Sequence, residues 1–155
     1  MKKLLTSQEV EMMNNLGNLE MVASHTYKHL ANSMKSIGFF GAEKFFNEEC
    51  LSELTHYDKL EAFMNDMNEQ LEVRSLDAVE DEIGDLMEAF NLAVEMESDL
   101  LEEYEFAWEK SSPKMKAFLK EMIDIQVQSV GEYGDLIARL SRTSEPILVD
   151  QELGK

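Results

Sequence analysis

Four long stretches of this chain repeat apolar residues every three or four positions, which is the period of an amphipathic α-helix. They cover about residues 7–36, 41–69, 79–110 and 113–142, and none shows the alternation that predicts a β-strand. Helices of this length are about 45 Å long and can bury an apolar face only against one another. The sequence therefore predicts one all-α domain over residues 1–155, built as a four-helix bundle.

Capping signals support these helices. Thr6 and Glu9 have the spacing of a capping box, which marks the start of the first helix. Ser112 suits the N-cap of the fourth helix, and Pro113 suits its first helical position. Asp77 is a candidate cap for the third helix. Each boundary is therefore predicted to within a few residues.

The connections between the helices are unequal in length. Those between the first and second helices, and between the third and fourth, are short and predict antiparallel hairpins. The middle connection includes "QLEVRSLDA" and is longer, which predicts a crossover between the second and third helices. The tail, residues 143–155, has room for one short helical piece.

The composition excludes several function classes. The formal net charge of −18 argues against binding nucleic acid through its phosphates and is compatible with a solvated surface or with affinity for cations. A single cysteine, Cys50, excludes an internal disulfide and a zinc or iron site built on several thiolates. The N-terminus lacks the apolar core of a signal peptide, and no apolar run reaches the length of a membrane span. We expect a cytoplasmic protein that binds neither nucleic acid nor a membrane.

Polar residues interrupt the apolar stripe of each helix near its midpoint. In helix order, the interruptions are Glu20, then Glu49, Glu53 and His56, then Glu97, then Gln126 and Ser129. Midpoints of bundled helices lie at about the same height. We therefore expect five of these side chains to converge in the core: Glu20, Glu53, His56, Glu97 and Gln126.

Buried carboxylates need a partner, because an isolated buried charge is very costly. No Lys or Arg lies on the four stripes, so a bound metal is the simplest neutralising group. Carboxylates with one imidazole and no thiolate favour iron or manganese. Glu53 and His56, three residues apart, can reach one metal, and the number of carboxylates suggests two metals. Tyr27 shares the face of Glu20 and has two interpretations. It is either a site residue, which forms a hydrogen bond to the site or donates an electron, or an ordinary core tyrosine.

The chain resembles the bacterial non-haem ferritins over nearly its whole length. The resemblance rests on "NLEMVASHTY", on Glu53-x-x-His56, on "VEMES", on a glutamine in the fourth helix and on the "LVDQELGK" tail. It implies a ferritin-like bundle in which Glu20, Glu53 and His56 hold one iron, and Glu53, Glu97 and Gln126 hold or surround the second. It also implies oxidation of Fe(II) by oxygen or hydrogen peroxide, and storage of Fe(III) mineral in a hollow homo-oligomeric cage of twenty-four subunits.

Three departures from that family pattern have consequences. Ser129 stands where many members have a further Glu, which predicts a weaker second iron site. Ser52, Ile125 and Gln128, with Ser129, stand near the places of an accessory third site, which we expect to be absent or altered. Leu54 stands where haem-binding relatives have Met, so we expect no haem.

Two alternative functions remain open from the sequence. One is a structural or weakly catalytic ferritin subunit, and the other is a diiron redox protein that stores no iron. Glu49 shares the face of Glu53 and His56 but is assigned no role by the family resemblance, so we interpret it as a neighbouring or entry carboxylate.

Overall fold

The computed structural model describes residues 2–155, and within them the regular structure is entirely helical. The helices are α1 (Ser7–Ser36), α2 (Phe40–Asp66), α3 (Leu86–Glu109), α4 (Pro113–Leu140) and α5 (Pro146–Leu153). The all-α four-helix bundle is confirmed, with α5 as the short C-terminal helix. None of the described helices is long and apolar enough to cross a membrane.

The buried apolar side chains form two clusters, one toward each end of the bundle. The first contains Leu16 of α1 and Leu60 of α2, with Leu100 and Leu119 from α3 and α4. The second cluster lies on the other half of each of these helices and includes Phe46 of α2. The predicted polar interruptions occupy the layer between the two clusters. In the bundle α1 packs along α2, and α3 packs along α4. Each of these four helices passes through the polar layer near its midpoint.

The first two helices end in the same backbone turn. Gly38 follows α1 with φ at 90°, and Asn68 follows α2 with φ at 60°, both in the left-handed region that Gly and Asn tolerate. After Asn68, the Glu69 amide donates to the Met64 carbonyl at 2.9 Å and closes the turn. The predicted end of the second helix at residue 69 was therefore too late, because the turn stops α2 at Asp66.

The crossover from α2 to α3 is extended, and this makes the predicted start of the third helix at residue 79 wrong. The Glu72 amide donates to Asn14 Oδ1 at 2.9 Å, and His29 Nε2 lies 2.7 Å from the Asp81 carbonyl oxygen. The crossover therefore follows α1 over about 22 Å of helix. Extended chain spans about 3.3 Å per residue and a helix only 1.5 Å, so this segment must stay extended.

The N-cap of α3 is Asp85, and the prediction of Asp77 was wrong. The Asp85 carboxylate accepts a hydrogen bond from the Glu88 amide at 2.8 Å, which satisfies a free amide of the first turn. Asp77 lies in the extended crossover, where no helix begins. The fourth helix starts at Pro113 as predicted and ends at Leu140, two residues before the predicted boundary.

The tail folds back onto the start of α2. Asp150 of α5 is buried, and its carboxylate accepts from the Ala42 amide at 2.7 Å and from the Gly41 amide at 3.2 Å. The side chain of Phe39, the N-cap of α2, cannot accept a hydrogen bond, so Asp150, 109 positions after Gly41, performs this function. The negative carboxylate also interacts favourably with the positive end of the α2 dipole.

One buried glutamate joins the starts of α1 and α4. Glu9 Oε1 accepts from the Thr6 amide at 3.0 Å, which completes the predicted capping box. Glu9 Oε2 accepts from the Ser112 amide at 2.9 Å and from the Ser112 hydroxyl at 2.7 Å. Burial alone would raise the pKa of Glu9, but these hydrogen bonds from Thr6 and Ser112 hold it below 4.5.

Replacing Glu9 with Ala should lower the free energy of unfolding by about 1–2 kcal/mol at pH 7, since two helix starts lose acceptors. The contribution of a carboxylate with a lowered pKa is present above its unfolded pKa and is lost as the pH falls through the folded value. Thermal melting should therefore show a gap between the native chain and E9A that narrows below about pH 4.5. The exposed Glu11 provides the control E11A, which should melt like the native chain. A gap that stays constant down to pH 2 would contradict this account of Glu9.

Replacing Gly41 with Ala should release α5. A Cβ atom at this position would lie 1.8 Å from the carbonyl oxygen of Asp150, so one of the two backbones must move. We expect faster amide hydrogen exchange in residues 146–153 of G41A, measured by mass spectrometry. The control is G134A, because a Cβ atom at Gly134 of α4 meets nothing within 4 Å. Unchanged exchange in G41A would show that α5 tolerates the displacement.

Candidate metal centre

All four main helices contribute to one buried polar layer. The five residues predicted to converge do lie in it, and none is more than 7% exposed: Glu20, Glu53, His56, Glu97 and Gln126. In the described part of the chain, no Lys or Arg forms an ion pair with these carboxylates. The layer therefore combines several acids with one imidazole and no permanent cation.

Glu20, Glu53 and His56 form the first group that can hold a metal ion. One ligand atom from each lies within 4.8 Å of the other two. His56 Nδ1 is 3.1 Å from Glu53 Oε2 and 3.4 Å from Glu20 Oε2. Glu20 Oε2 has no hydrogen-bond partner among residues 2–155, although it is fully buried. A buried acceptor without a donor is costly, and a cation would satisfy it.

Glu49, Glu53 and Glu97 form a second group with the same property, and Glu53 belongs to both groups. Glu49 is only half-buried, whereas Glu53 and Glu97 are buried. The interpretation of Glu49 as a neighbouring carboxylate therefore understated its proximity. Its position on the same stripe, one turn before Glu53, was the signal in the sequence.

Gln126 of α4 contacts the second group through its amide. Its Nε2 donates to Glu97 Oε2 at 2.6 Å and to the Glu97 carbonyl oxygen at 3.2 Å. Gln126 Oε1 is buried and has no partner within the described chain. The side-chain amide thus fixes Glu97 and also leaves a neutral oxygen donor free beside it.

Two tyrosines hold the terminal carboxylates in a reciprocal arrangement. The Tyr27 hydroxyl of α1 donates to Glu97 Oε1 of α3 at 2.5 Å. The Tyr104 hydroxyl of α3 donates to Glu20 Oε1 of α1 at 2.6 Å. Each tyrosine follows a site glutamate of its own helix by seven residues and bonds the glutamate of the other helix. Tyr104 was missed as a site residue, although this shared spacing was visible in the sequence.

A third tyrosine, Tyr133, extends the aromatic contacts of the site. Its ring stacks on that of Tyr27, with centroids 6.3 Å apart, and Phe46 stacks on Tyr27 at 5.9 Å. The Tyr133 hydroxyl is buried and lacks a hydrogen-bond partner in residues 2–155. Burial raises the pKa of Tyr27, Tyr104 and Tyr133, with nearby carboxylates adding to the effect, so all three stay protonated.

The titrating groups of the layer are strongly shifted. Burial, with the charges of neighbouring carboxylates, raises the pKa of Glu49 and of Glu53 to about 7 and that of Glu97 to about 8. Burial alone would lower the pKa of His56, but Glu20 and Glu53 raise it to about 10. The layer therefore binds protons that a divalent cation would displace. Oxygen donors with one imidazole suit iron or manganese.

This chain is similar to known proteins in both sequence and fold. The model of the family described as "Ferritin-like domain" matches residues 10–143. Among curated relatives, the ferritin middle subunit of Salmo salar is 30% identical over 138 residues, covering 84% of this chain and 78% of its own. A bacterial non-heme ferritin of Staphylococcus haemolyticus is 24% identical over 146 residues, covering 92% of this chain and 88% of its own.

A solved structure shows the same fold at low sequence identity. The open pore ferritin of Archaeoglobus fulgidus superposes with a TM-score of 0.90 at 20% identity and covers 96% of each chain. The family model spans most of this chain, including every residue of the polar layer. The protein therefore belongs to the ferritin-like domain family.

Proposed function

We propose that this protein oxidises Fe(II) at the buried layer and stores the resulting Fe(III) as a mineral. The observation that carries the proposal is the pair of metal-competent groups that share Glu53. A shared carboxylate can bridge two ions, and each group adds its own terminal carboxylate, Glu20 or Glu97. Family membership supports iron as the substrate.

Two ions in one centre match the electron count of the reaction. Each Fe(II) releases one electron on becoming Fe(III), so a pair supplies the two electrons that, with two protons, reduce oxygen to hydrogen peroxide. The same two electrons and two protons reduce hydrogen peroxide to two water molecules. Either oxidant therefore fits the electron count.

In this proposal each residue of the layer has a definite role. Glu20, Glu53 and His56 bind the first Fe(II), and Glu53, Glu97 and the oxygen of Gln126 bind the second. Tyr27 holds Glu97 at 2.5 Å and lies close enough to donate an electron to the centre. Tyr104 holds Glu20 Oε1 and leaves Glu20 Oε2 for the metal, whereas Glu97 Oε2 also accepts a hydrogen bond from Gln126 Nε2.

Storage requires a cavity, and we propose a homo-oligomeric cage of twenty-four subunits. Membership of the ferritin-like domain family and the likeness in fold to the open pore ferritin support this assembly. The net charge of −18 supports it as well, because an acidic pore and inner wall attract cations. A cytoplasmic location stays a prediction from the sequence.

A second candidate is a structural or weakly catalytic subunit. Its support is Ser129, which is half-buried on the inward stripe of α4 and contributes no charge to the second group. Anaerobic titration with Fe(II) separates the candidates: two tight ions per chain support the oxidising centre, and none supports the structural subunit.

Replacing Glu53 with Ala should abolish fast oxidation, because both ions lose their shared ligand. Stopped-flow absorbance after mixing Fe(II) with oxygen measures the rate, and size-exclusion chromatography checks that the particle still assembles. The control is E61A, since Glu61 is an exposed glutamate of the same helix. Fast oxidation by an assembled E53A particle would refute the assignment of this site.

The cage itself predicts the native particle size. Light scattering should give about twenty-four times the 17.8 kDa mass of the chain, and electron microscopy should show a hollow shell. A dimer as the largest species would leave no storage cavity and would favour the diiron redox protein that stores no iron.

A further inference from the structure

We propose that Glu49 supplies the second iron site with its missing charged ligand from α2, a role that rests on the proposed function. One carboxylate oxygen of Glu49 lies within 4.8 Å of oxygens from Glu53 and Glu97. Without it, a second ion would have only Glu97, a share of Glu53 and the neutral amide of Gln126. With Glu49, it gains a carboxylate of its own.

The buried amide of Gln126 independently marks this place as a ligand site. Gln126 is fully buried, its Nε2 contacts Glu97 Oε2 at 2.6 Å, and its Oε1 has no partner in the described chain. Leaving such an oxygen without a hydrogen bond or a cation is costly. Because the amide contacts the Glu97 carboxylate, a cation placed between Glu49 and Glu97 is within its reach, and oxygen is the donor that such a cation prefers.

The inward stripe of α4 contributes no charge to the second group. Gln126 and Tyr133 are buried on this stripe, and half-buried Ser129 lies between them. All three side chains are uncharged at neutral pH, so this stripe provides no carboxylate to the second ion. Tyr133 lies close enough to Glu49 to feel its charge.

The exposure of Glu49 predicts that the two ions differ in affinity. The first group is buried, with Glu20 and Glu53 at most 1% exposed. Glu49 is half-buried, and exposed Glu132 of α4 is close to it, so the second group opens toward solvent between α2 and α4. A ligand that remains in contact with water holds its ion less firmly, so the second ion should exchange faster than the first.

Calorimetric titration of the whole assembled protein with Zn(II), which is not oxidised, tests the role of Glu49. The native protein should bind two ions per chain with different affinities. The variant E49Q keeps the size of the side chain but removes its charge, so it should weaken the second ion at least about tenfold and leave the first unchanged. The control is E48Q, which removes the same charge from the adjacent exposed position. It should behave like the native protein.

Two further variants make the result specific. E49D keeps the charge but shortens the side chain, so it should also weaken only the second ion. Adding S129E to E49Q places a carboxylate on the facing stripe and should restore the second ion. If the double variant does not regain the second ion, the loss of a charged ligand is not the reason for the weaker binding in E49Q.

The outcomes separate this inference from the proposed function. Two ions of unchanged affinity in both E49Q and E49D would overturn the role of Glu49 and leave the two-ion centre intact. Fewer than two ions in the native protein would overturn the proposed centre itself. Equal loss of both ions in E49Q would also contradict the inference, because Glu49 belongs to one group only.

Discussion

Three buried glutamates in the middle of the bundle, Glu20, Glu53 and Glu97, set the main constraint on this fold. Taking carboxylates out of water is costly, and the chain provides no Lys or Arg within the described layer to offset that cost. Burial of the two apolar clusters on either side of the layer stabilises the same four helices and offsets this cost. The stability of the ends thus maintains a layer whose negative charge only protons or metal ions can balance.

The hydrogen bonds around the layer explain how the carboxylates keep a definite geometry. Tyr27 and Tyr104 cross between α1 and α3, and each fixes one oxygen of a terminal glutamate. Glu53, by contrast, contacts the side chain of His56 and lies between the two groups. The site therefore combines rigid outer carboxylates with a central one that two ions can share, as preorganised metal centres require.

Much of this arrangement could be predicted from the sequence, because helical period and core polarity are local patterns. The four helices follow from the apolar period, the crossover from the length of the middle connection, and the five converging residues from polar interruptions at matching depth. The late start of α3 could not be predicted from the sequence, because it depends on the distance that the crossover must span along α1. The partners of Asp150 and Tyr104 could not be predicted for a related reason. Their partners, Ala42 and Glu20, are distant in the chain, and the packing of the helices brings them together.

Crystals of the assembled protein soaked with Fe(II) under anaerobic conditions would test the account most directly. Anomalous difference maps at the iron edge should show two peaks per subunit, one on each side of Glu53. The first should lie against Glu20 and His56, and the second against Glu97 and Gln126. A map with no peak in the buried layer, and iron only on the acidic surface, would contradict the central claim.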